Sequence, residues 1–252
     1  MPSHLARMSS NDLPDFCDLI ALADALEQDP GKVRLVDTIR RAGRAQSCRA
    51  DLELAKNSCE AIAQFDLPSM TATILHRQTA RNALLMNAIL LYARATSTGK
   101  KLGERGSTSI EDRLPPELRA DHRQIVNIRD RAYAHVYANE PIGDRIWHRE
   151  AIFAVRIDDE WQPASITRRI QENPKVLQQL RKLLPLADEL VRGVFLKRIG
   201  ELAELLNKRD HLLPLLEIHR FDAVAFLGSV EEVWRLLKSR KSGSAVGIIE
   251  GG

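Results

Sequence analysis

The sequence predicts a predominantly α-helical protein with one small β-hairpin insertion. Most of the chain repeats apolar residues at the three- and four-residue spacing of amphipathic helices. One stretch departs from this pattern, because residues 151–157 alternate apolar side chains as strands do, and residues 164–169 can return beside them around Asp158-Asp159-Glu160. A length of 252 residues is enough to bury a substantial core.

The N-terminal half is expected to form three helices. Residues 13–26 carry an amphipathic pattern, and residues 33–64 form one long or broken helix rich in Ala, Leu, Arg and Glu. Ser69 is expected to cap a third helix over residues 70–96, which is the most apolar element and therefore central. A basic loop that contains glycine follows at residues 98–107.

The second half begins with a helix that Pro115-Pro116 opens and Pro141-Ile142-Gly143 closes. Beyond the hairpin, helices are predicted at 174–184, 186–208, 212–227 and 230–238. The three tryptophans, Trp147, Trp161 and Trp234, are expected to be core or interface anchors.

These elements predict five segments along the chain. They are an N-terminal helix at 1–31, a helical core at 32–140, a β-hairpin insertion at 141–170, C-terminal helices packing on the core at 171–241 and a flexible tail at 242–252.

Composition excludes several classes of protein. The 37 basic residues nearly balance the 34 acidic ones, so any contact with RNA must come from local patches. The three cysteines form neither a disulfide framework nor a zinc pattern. No apolar run is long enough to span a bilayer, and the first ten residues lack the apolar core of a signal peptide, so a cytoplasmic protein is expected. The common nucleotide-binding and metal-binding motifs are absent, and no cofactor or metal is expected.

One segment carries a pattern typical of RNA chemistry. In the stretch from Asn127 to Tyr137, Arg129 precedes His135 by six positions, and none of the other six histidines follows an arginine at four to six intervening residues. Metal-free cleavage of RNA needs a base for the 2′-hydroxyl, an acid for the leaving 5′-oxygen and a cation on the phosphate. Histidine suits the proton transfers, and arginine suits the phosphate.

The spacing leaves three geometries open. Six residues of a regular helix turn by about 240° and rise by about 9 Å, so Arg129 and His135 would not share a face. The helix is distorted here, or the two side chains converge across a dimer, or Arg131, four residues before His135, is the true partner. The motif segment supplies only one histidine, His135, which also favours a symmetric dimer, because a second copy would supply another.

The same segment resembles the signature of the HEPN superfamily, all-α domains marked by Arg, four to six residues and His. In that family Asn, Asp or His usually follows the arginine, and Asp130 occupies this position. The order of an apolar helix, a loop and the motif helix is similar to the abortive-infection type, over about residues 33–139. The resemblance implies an HEPN-like up-and-down helical bundle that acts as a homodimeric, metal-independent endoribonuclease, commonly a toxin or an antiphage effector.

Site roles follow from this resemblance. It implies that Arg129 binds phosphate, Asp130 orients the site and His135 handles protons. Residues expected to support them are Arg131, Asn127, Arg81 and Asn82. We expect Arg129 rather than Arg131 to be the working arginine, because Asp130 stands where the family pattern places a polar residue.

Tyr137 is a candidate for modification. The order His135-Val136-Tyr137 resembles the His-x-Tyr ending of toxins that a nucleotidyltransferase antitoxin silences by attaching AMP to the tyrosine. The alternative is an amphipathic aromatic residue on the surface of the bundle.

Two other functions compete with the nuclease. One is a catalytically silent HEPN-type module that binds RNA or a protein, and the other is a helical scaffold in which Arg129 and His135 are structural. An accessible Arg129 and His135 that face a second copy would favour the enzyme. A buried Arg129 paired with Asp130 or another carboxylate would favour the scaffold.

Overall fold

The computed structural model describes residues 13–65, 73–97, 105–135, 137–170, 173–207 and 212–241. These residues form eight α-helices, which are α1 (Leu19–Ala25), α2 (Val33–Gln64), α3 (Ile74–Thr96), α4 (Pro116–Ile128), α5 (Pro174–Asn207), α6 (Leu213–Ile218), α7 (Ala223–Leu227) and α8 (Val230–Lys241). The prediction of a mainly helical fold with a hairpin insertion is confirmed. None of the helices in the described ranges is long and apolar enough to cross a membrane.

Some predicted features lie outside the described residues. They are the helix cap at Ser69, residues 98–104 of the basic loop and the tail at 242–252. The apolar helix α3 begins at Ile74, where the Thr73 side chain accepts a hydrogen bond from the His76 backbone N–H.

The chain divides into two compact units. One comprises residues 1–43 and 197–252, and the other comprises residues 44–196. Both boundaries fall within long helices, α2 and α5. The Arg129/His135 segment and the hairpin belong to the second unit.

Two helices of the first unit differ from the predicted ones. Helix α1 starts at Leu19 instead of residue 13, because the Asp18 carboxylate accepts hydrogen bonds from the N–H groups of the next turn. The residues before it form a short antiparallel bridge, Cys17 to Arg220. This bridge is a long-range contact, and it interrupts the helix predicted at 212–227, which is present as the separate α6 and α7.

The second unit buries its core between α2, α3, α4 and α5. Its largest fully buried side chains include Leu52, Ile89, Tyr92, Ile125 and Leu180. The break predicted after residue 184 is wrong, because α5 continues through Pro185. Leu183, Leu184, Ala187 and Val191 are all buried in this core on either side of the proline. Their burial on one continuous face offsets the roughly 3 kcal/mol that an internal proline costs a helix.

Polar contacts also fasten the helices of this unit. The Tyr92 hydroxyl and His122 Nδ1 share a buried hydrogen bond of 2.8 Å between α3 and α4. Burial lowers the pKa of His122 and raises the pKa of Tyr92, so both side chains are held neutral. Asp51 of α2 is buried and pairs with Arg94 and Arg105. The Tyr92–His122 bond therefore joins α3 to α4, the helix that leads into the Arg129 segment.

Four strands follow the motif segment. They are β1 (Pro141–Ile142) paired with β2 (Arg145–Ile146), and β3 (His148–Ile157) paired with β4 (Glu160–Arg169), both antiparallel. The predicted hairpin is longer than the sequence pattern indicated, and its turn at Asp158 and Asp159 is confirmed, with φ angles of 47° and 65°. The helix end predicted at Pro141 is wrong, because helical structure ends at Ala134 and Pro141 begins β1.

Candidate functional site

The helix that carries the Arg/His segment changes its winding at Arg129. Regular α-helix ends at Ile128, and residues Arg129–Ala134 form a π-helical turn. The N–H of His135 donates to the Asp130 carbonyl at 3.1 Å, a bond that spans five residues instead of four. His135 therefore follows Asp130, and not Arg131, by one hydrogen-bonded turn. Of the three geometries that the spacing leaves open, a distorted helix is present.

Arg129 and Asp130 form an ion pair at the start of this turn. Arg129 Nη1 lies 2.6 Å from Asp130 Oδ1, and the two side chains are 23% and 45% exposed. The guanidinium is accordingly half-buried, and the carboxylate that orients it faces solvent. The pair shows the contact with Asp130 that favours a structural arginine, but without full burial.

The other end of the turn is an aromatic and cationic cluster on the surface. His135 is exposed, and its ring meets the Tyr137 ring edge-on at 6.4 Å between centroids. The Arg131 guanidinium lies over the Tyr137 ring, 5.0 Å from its centre, and is also paired with Glu140. Arg131 thus holds the chain that follows His135, while Arg129 is bonded to the residue whose carbonyl holds His135.

Residues at the base of the hairpin contact the π turn through a hydrogen bond and an aromatic contact. His148, which is buried, forms a 2.7 Å hydrogen bond through Nε2 with the carbonyl of Ala132 in the last turn of the helix. Trp147 is buried with its ring edge-on to Tyr133 at 6.0 Å. Asn139, at a left-handed φ of 63°, exchanges two hydrogen bonds with the Glu150 backbone.

These anchoring residues extend the site beyond the sequence motif. Trp147 is buried, as expected for a core anchor, but the sequence around His148 and Asn139 gives no periodic or motif signal for their contacts with the π turn. Burial raises the pKa of Tyr133 to about 12, so its hydroxyl stays protonated at neutral pH.

Two of the expected supporting residues, Asn127 and Arg81, line two separate cavities, whereas Arg131 and Asn82 line neither of them. Asn127 lines a cavity of about 180 Å³ together with Glu111, His122 and Arg123. Arg81, next to Asn82 on α3, lines another of about 140 Å³. Asn127 precedes Arg129 by about half a helical turn and lies on the face of α4 that lines the first cavity. Neither of these two cavities is lined by Arg129, Asp130 or His135.

Comparison of the chain with protein-family models, with curated proteins and with solved structures found no match. Within the described ranges, no group of three or more His, Cys, Asp and Glu side chains is placed so that it could hold a metal ion.

Proposed function

We propose that this chain is a cytoplasmic, metal-independent endoribonuclease of HEPN type, which cleaves RNA at a site composed from two copies. The observation that carries the proposal is the π turn at Arg129. It places Asp130, the ion-pair partner of Arg129, one hydrogen-bonded turn before the exposed His135. Departures of this kind from regular helix geometry are frequent at functional sites.

The chemistry assigns one task to each side chain. Arg129 binds a non-bridging phosphate oxygen with a charge that persists at every working pH, and Asp130 holds its guanidinium in place. His135 takes the proton of the 2′-hydroxyl, whose oxygen then attacks the adjacent phosphorus. The 5′-oxygen leaves with a proton from a second acid. The products are a 2′,3′-cyclic phosphate and a 5′-hydroxyl.

A second copy of the chain supplies that acid in this proposal. Each copy presents one exposed histidine, His135, at the end of the π turn. A two-fold axis near it would bring the two copies of His135 together. Expression of an active form is expected to arrest growth, as for a toxin or an antiphage effector.

We expect RNA cleavage to continue in excess EDTA and to leave 2′,3′-cyclic phosphate or 3′-phosphate ends. The reason is that a protonated or neutral histidine and a permanently charged arginine can carry out both proton transfers and phosphate binding by themselves. The measurement is gel analysis of the products of a 5′-labelled single-stranded RNA. Acid opens a 2′,3′-cyclic phosphate to a phosphomonoester, which phosphatase then removes, and the change in gel mobility identifies the product end. Strict dependence on added Mg²⁺ or Mn²⁺ would contradict the proposal.

Tyr137 extends the proposal to a regulator. Its ring is 40% exposed and stands beside His135, so a nucleotide attached to its hydroxyl would cover the proton-transferring imidazole. A nucleotidyltransferase antitoxin would achieve this by directing the tyrosine oxygen onto the α-phosphorus of ATP, with pyrophosphate as the leaving group.

We expect Tyr137→Phe to keep RNA cleavage within a few-fold of the original rate and to escape such silencing, because the phenyl ring preserves the contacts with Arg131 and His135 but has no hydroxyl. Co-expression with a nucleotidyltransferase antitoxin, followed by measurement of the intact mass, tests this. An AMP adduct on the Tyr137→Phe protein would show that another residue is modified.

A second candidate function rests on the Arg129–Asp130 ion pair. A guanidinium already neutralised by its neighbour suits a silent module that binds RNA or a protein partner without cleaving it. Retention of labelled RNA with no cleavage at any pH between 5 and 9, by a folded protein, would favour this function.

A further inference from the structure

The cavity of about 180 Å³ beside α4 lies on the helix face that leads to the π turn. The residues of α4 that line it are His122, Arg123, Val126 and Asn127. At about 100° per residue, these four residues and Asp130 fall within one sector of about 140° around the helix axis. The Asp130 carbonyl in turn accepts the hydrogen bond of the His135 N–H. The cavity therefore precedes the candidate site along a single face of the helix.

A carboxylate and a guanidinium stand side by side in this cavity. Glu111 Oε1, from the turn before α4, lies 3.5 Å from Arg123 Nε, and both side chains line the cavity. The other contact of Arg123 with the described residues, to the Arg119 carbonyl, also uses Nε. Within the described ranges, the two terminal nitrogens of Arg123 and the second carboxylate oxygen of Glu111 are thus left for a ligand. The side chains are 65% and 41% exposed, so a ligand from solvent reaches them.

The buried side of the cavity suits a flat ring. His122 is buried, and its Nδ1 shares the 2.8 Å hydrogen bond with the Tyr92 hydroxyl, which fixes the imidazole in place. Val126 lines the cavity on the next turn of α4. An aromatic ring and an aliphatic side chain favour a planar base over a bare phosphate. The volume is below the roughly 300 Å³ at which pockets for drug-sized ligands begin, so the cavity takes a single ring system.

We propose that this cavity binds a guanine base of the RNA strand close to the bond that is cleaved. The Watson–Crick edge of guanine presents the acceptor O6 beside two donors, N1–H and N2–H. Arg123 next to Glu111 offers the complementary set, a donor for O6 and two carboxylate oxygens for the two N–H groups. Adenine, cytosine and uracil lack two adjacent donors on this edge. Bases turned out of a single strand are commonly read in this way by proteins that bind RNA.

Asn127 connects the base site with the proposed catalytic residues. It lines the cavity three residues, or about 4.5 Å, before Asp130, and Arg123 lies seven residues, or about 10 Å, before Asp130. A base held by Arg123 therefore belongs to a nucleotide near the phosphate that Arg129 binds. The assignment rests on the proposed function and deepens it, because it names the substrate as single-stranded RNA cleaved beside a guanosine. All of its contacts come from one chain.

The first test measures binding without cleavage. Fluorescence anisotropy follows a labelled oligouridylate that carries one guanosine and 2′-O-methyl groups throughout, so that it is not cleaved. The original protein should bind it roughly ten- to a hundredfold more tightly than the same strand with adenosine in that position, as a good bidentate contact discriminates between bases. Equal affinity for the two strands would overturn the base site.

Variants in one turn make the test specific for Glu111. Glu111→Gln should remove most of the preference for guanosine, because its amide group points a donor at the donors of the base. Asp112→Asn removes the exposed carboxylate of the next residue, which does not line the cavity, and should keep the preference. Inosine, which lacks the 2-amino group, should bind several-fold more weakly than guanosine to the original protein, with a much smaller difference in Glu111→Gln. Circular dichroism checks folding, and equal losses in the two variants would overturn the assignment.

Two further measurements separate the source of the guanine and the two proposals. Calorimetric titration with guanosine 5′-monophosphate tests a free nucleotide, and tight binding of it without a guanosine preference in RNA would overturn the assignment to RNA. A guanosine preference in binding, with no cleavage of the unmethylated strand, would refute the nuclease and leave the base site intact. Cleavage at equal rates with and without guanosine would refute the base site and leave the nuclease intact.

Discussion

Replacement of Arg129 by alanine is expected to slow RNA cleavage by roughly a hundred- to a thousandfold. Loss of one oriented group that stabilises charge in a transition state typically costs about 2.7–4 kcal/mol. Arg129 is the arginine that Asp130 orients, and Asp130 is also the residue whose carbonyl holds His135 in the π turn. Its removal takes away the phosphate-binding cation and leaves the Asp130 carboxylate to repel the substrate.

Arg131→Ala provides the matched control on the same turn. Arg131 is paired with Glu140 and stacked on Tyr137, so its loss should loosen the chain after His135 and reduce the rate only several-fold. Single-turnover rates on one labelled RNA, at equal enzyme concentration and with folding checked by circular dichroism, compare the variants. An inactive Arg131→Ala together with an active Arg129→Ala would mean that the site is built around Arg131 and His135.

Trp147→Ala is expected to have the largest effect on stability, about 3–5 kcal/mol of unfolding free energy. Its indole is 2% exposed, contacts Tyr133 edge-on and belongs to the core of the second unit. Its carbonyl also accepts a hydrogen bond of 2.9 Å from the Ile170 N–H, which closes the base of the hairpin. Removal of the indole therefore leaves a large cavity at the point where the core, the π turn and the hairpin meet.

The hairpin contains a natural control for this substitution. Trp161 is 67% exposed, so Trp161→Ala should change the unfolding free energy by no more than about 0.5 kcal/mol. Urea unfolding followed by far-ultraviolet circular dichroism measures both. Similar losses for the two tryptophans would show that Trp147 does not anchor the core in the way its burial indicates.

Local sequence signals predicted the elements whose stability is itself local. Helix α2 is one uninterrupted helix at the residues that the pattern indicated, 33–64, because this stretch contains no proline and one glycine. Pro115 and Pro116 mark the start of α4, and the acidic turn joins β3 to β4. In each of these places propensity, turn chemistry and periodicity agree.

The differences arise where distant parts of the chain decide the structure. Pro185 is retained within α5 because a continuous buried face outweighs its cost. The bridge from Cys17 to Arg220 divides a pattern that looks like one helix. The π turn is of the same kind, since His148, sixteen residues later in the chain, takes up the Ala132 carbonyl. The sequence spacing could not predict this winding, because it depends on a contact with a residue of the hairpin base.

The most direct test of the account is chemical rescue of His135→Ala. The variant is expected to lose at least a hundredfold in RNA cleavage in EDTA, and added imidazole should restore part of the rate, because a diffusible base replaces the missing side chain. His76→Ala, which removes another exposed histidine, should retain the original rate, and Arg129→Ala should not respond to imidazole. Cleavage by His135→Ala at the original rate, with the same product ends, would contradict the account.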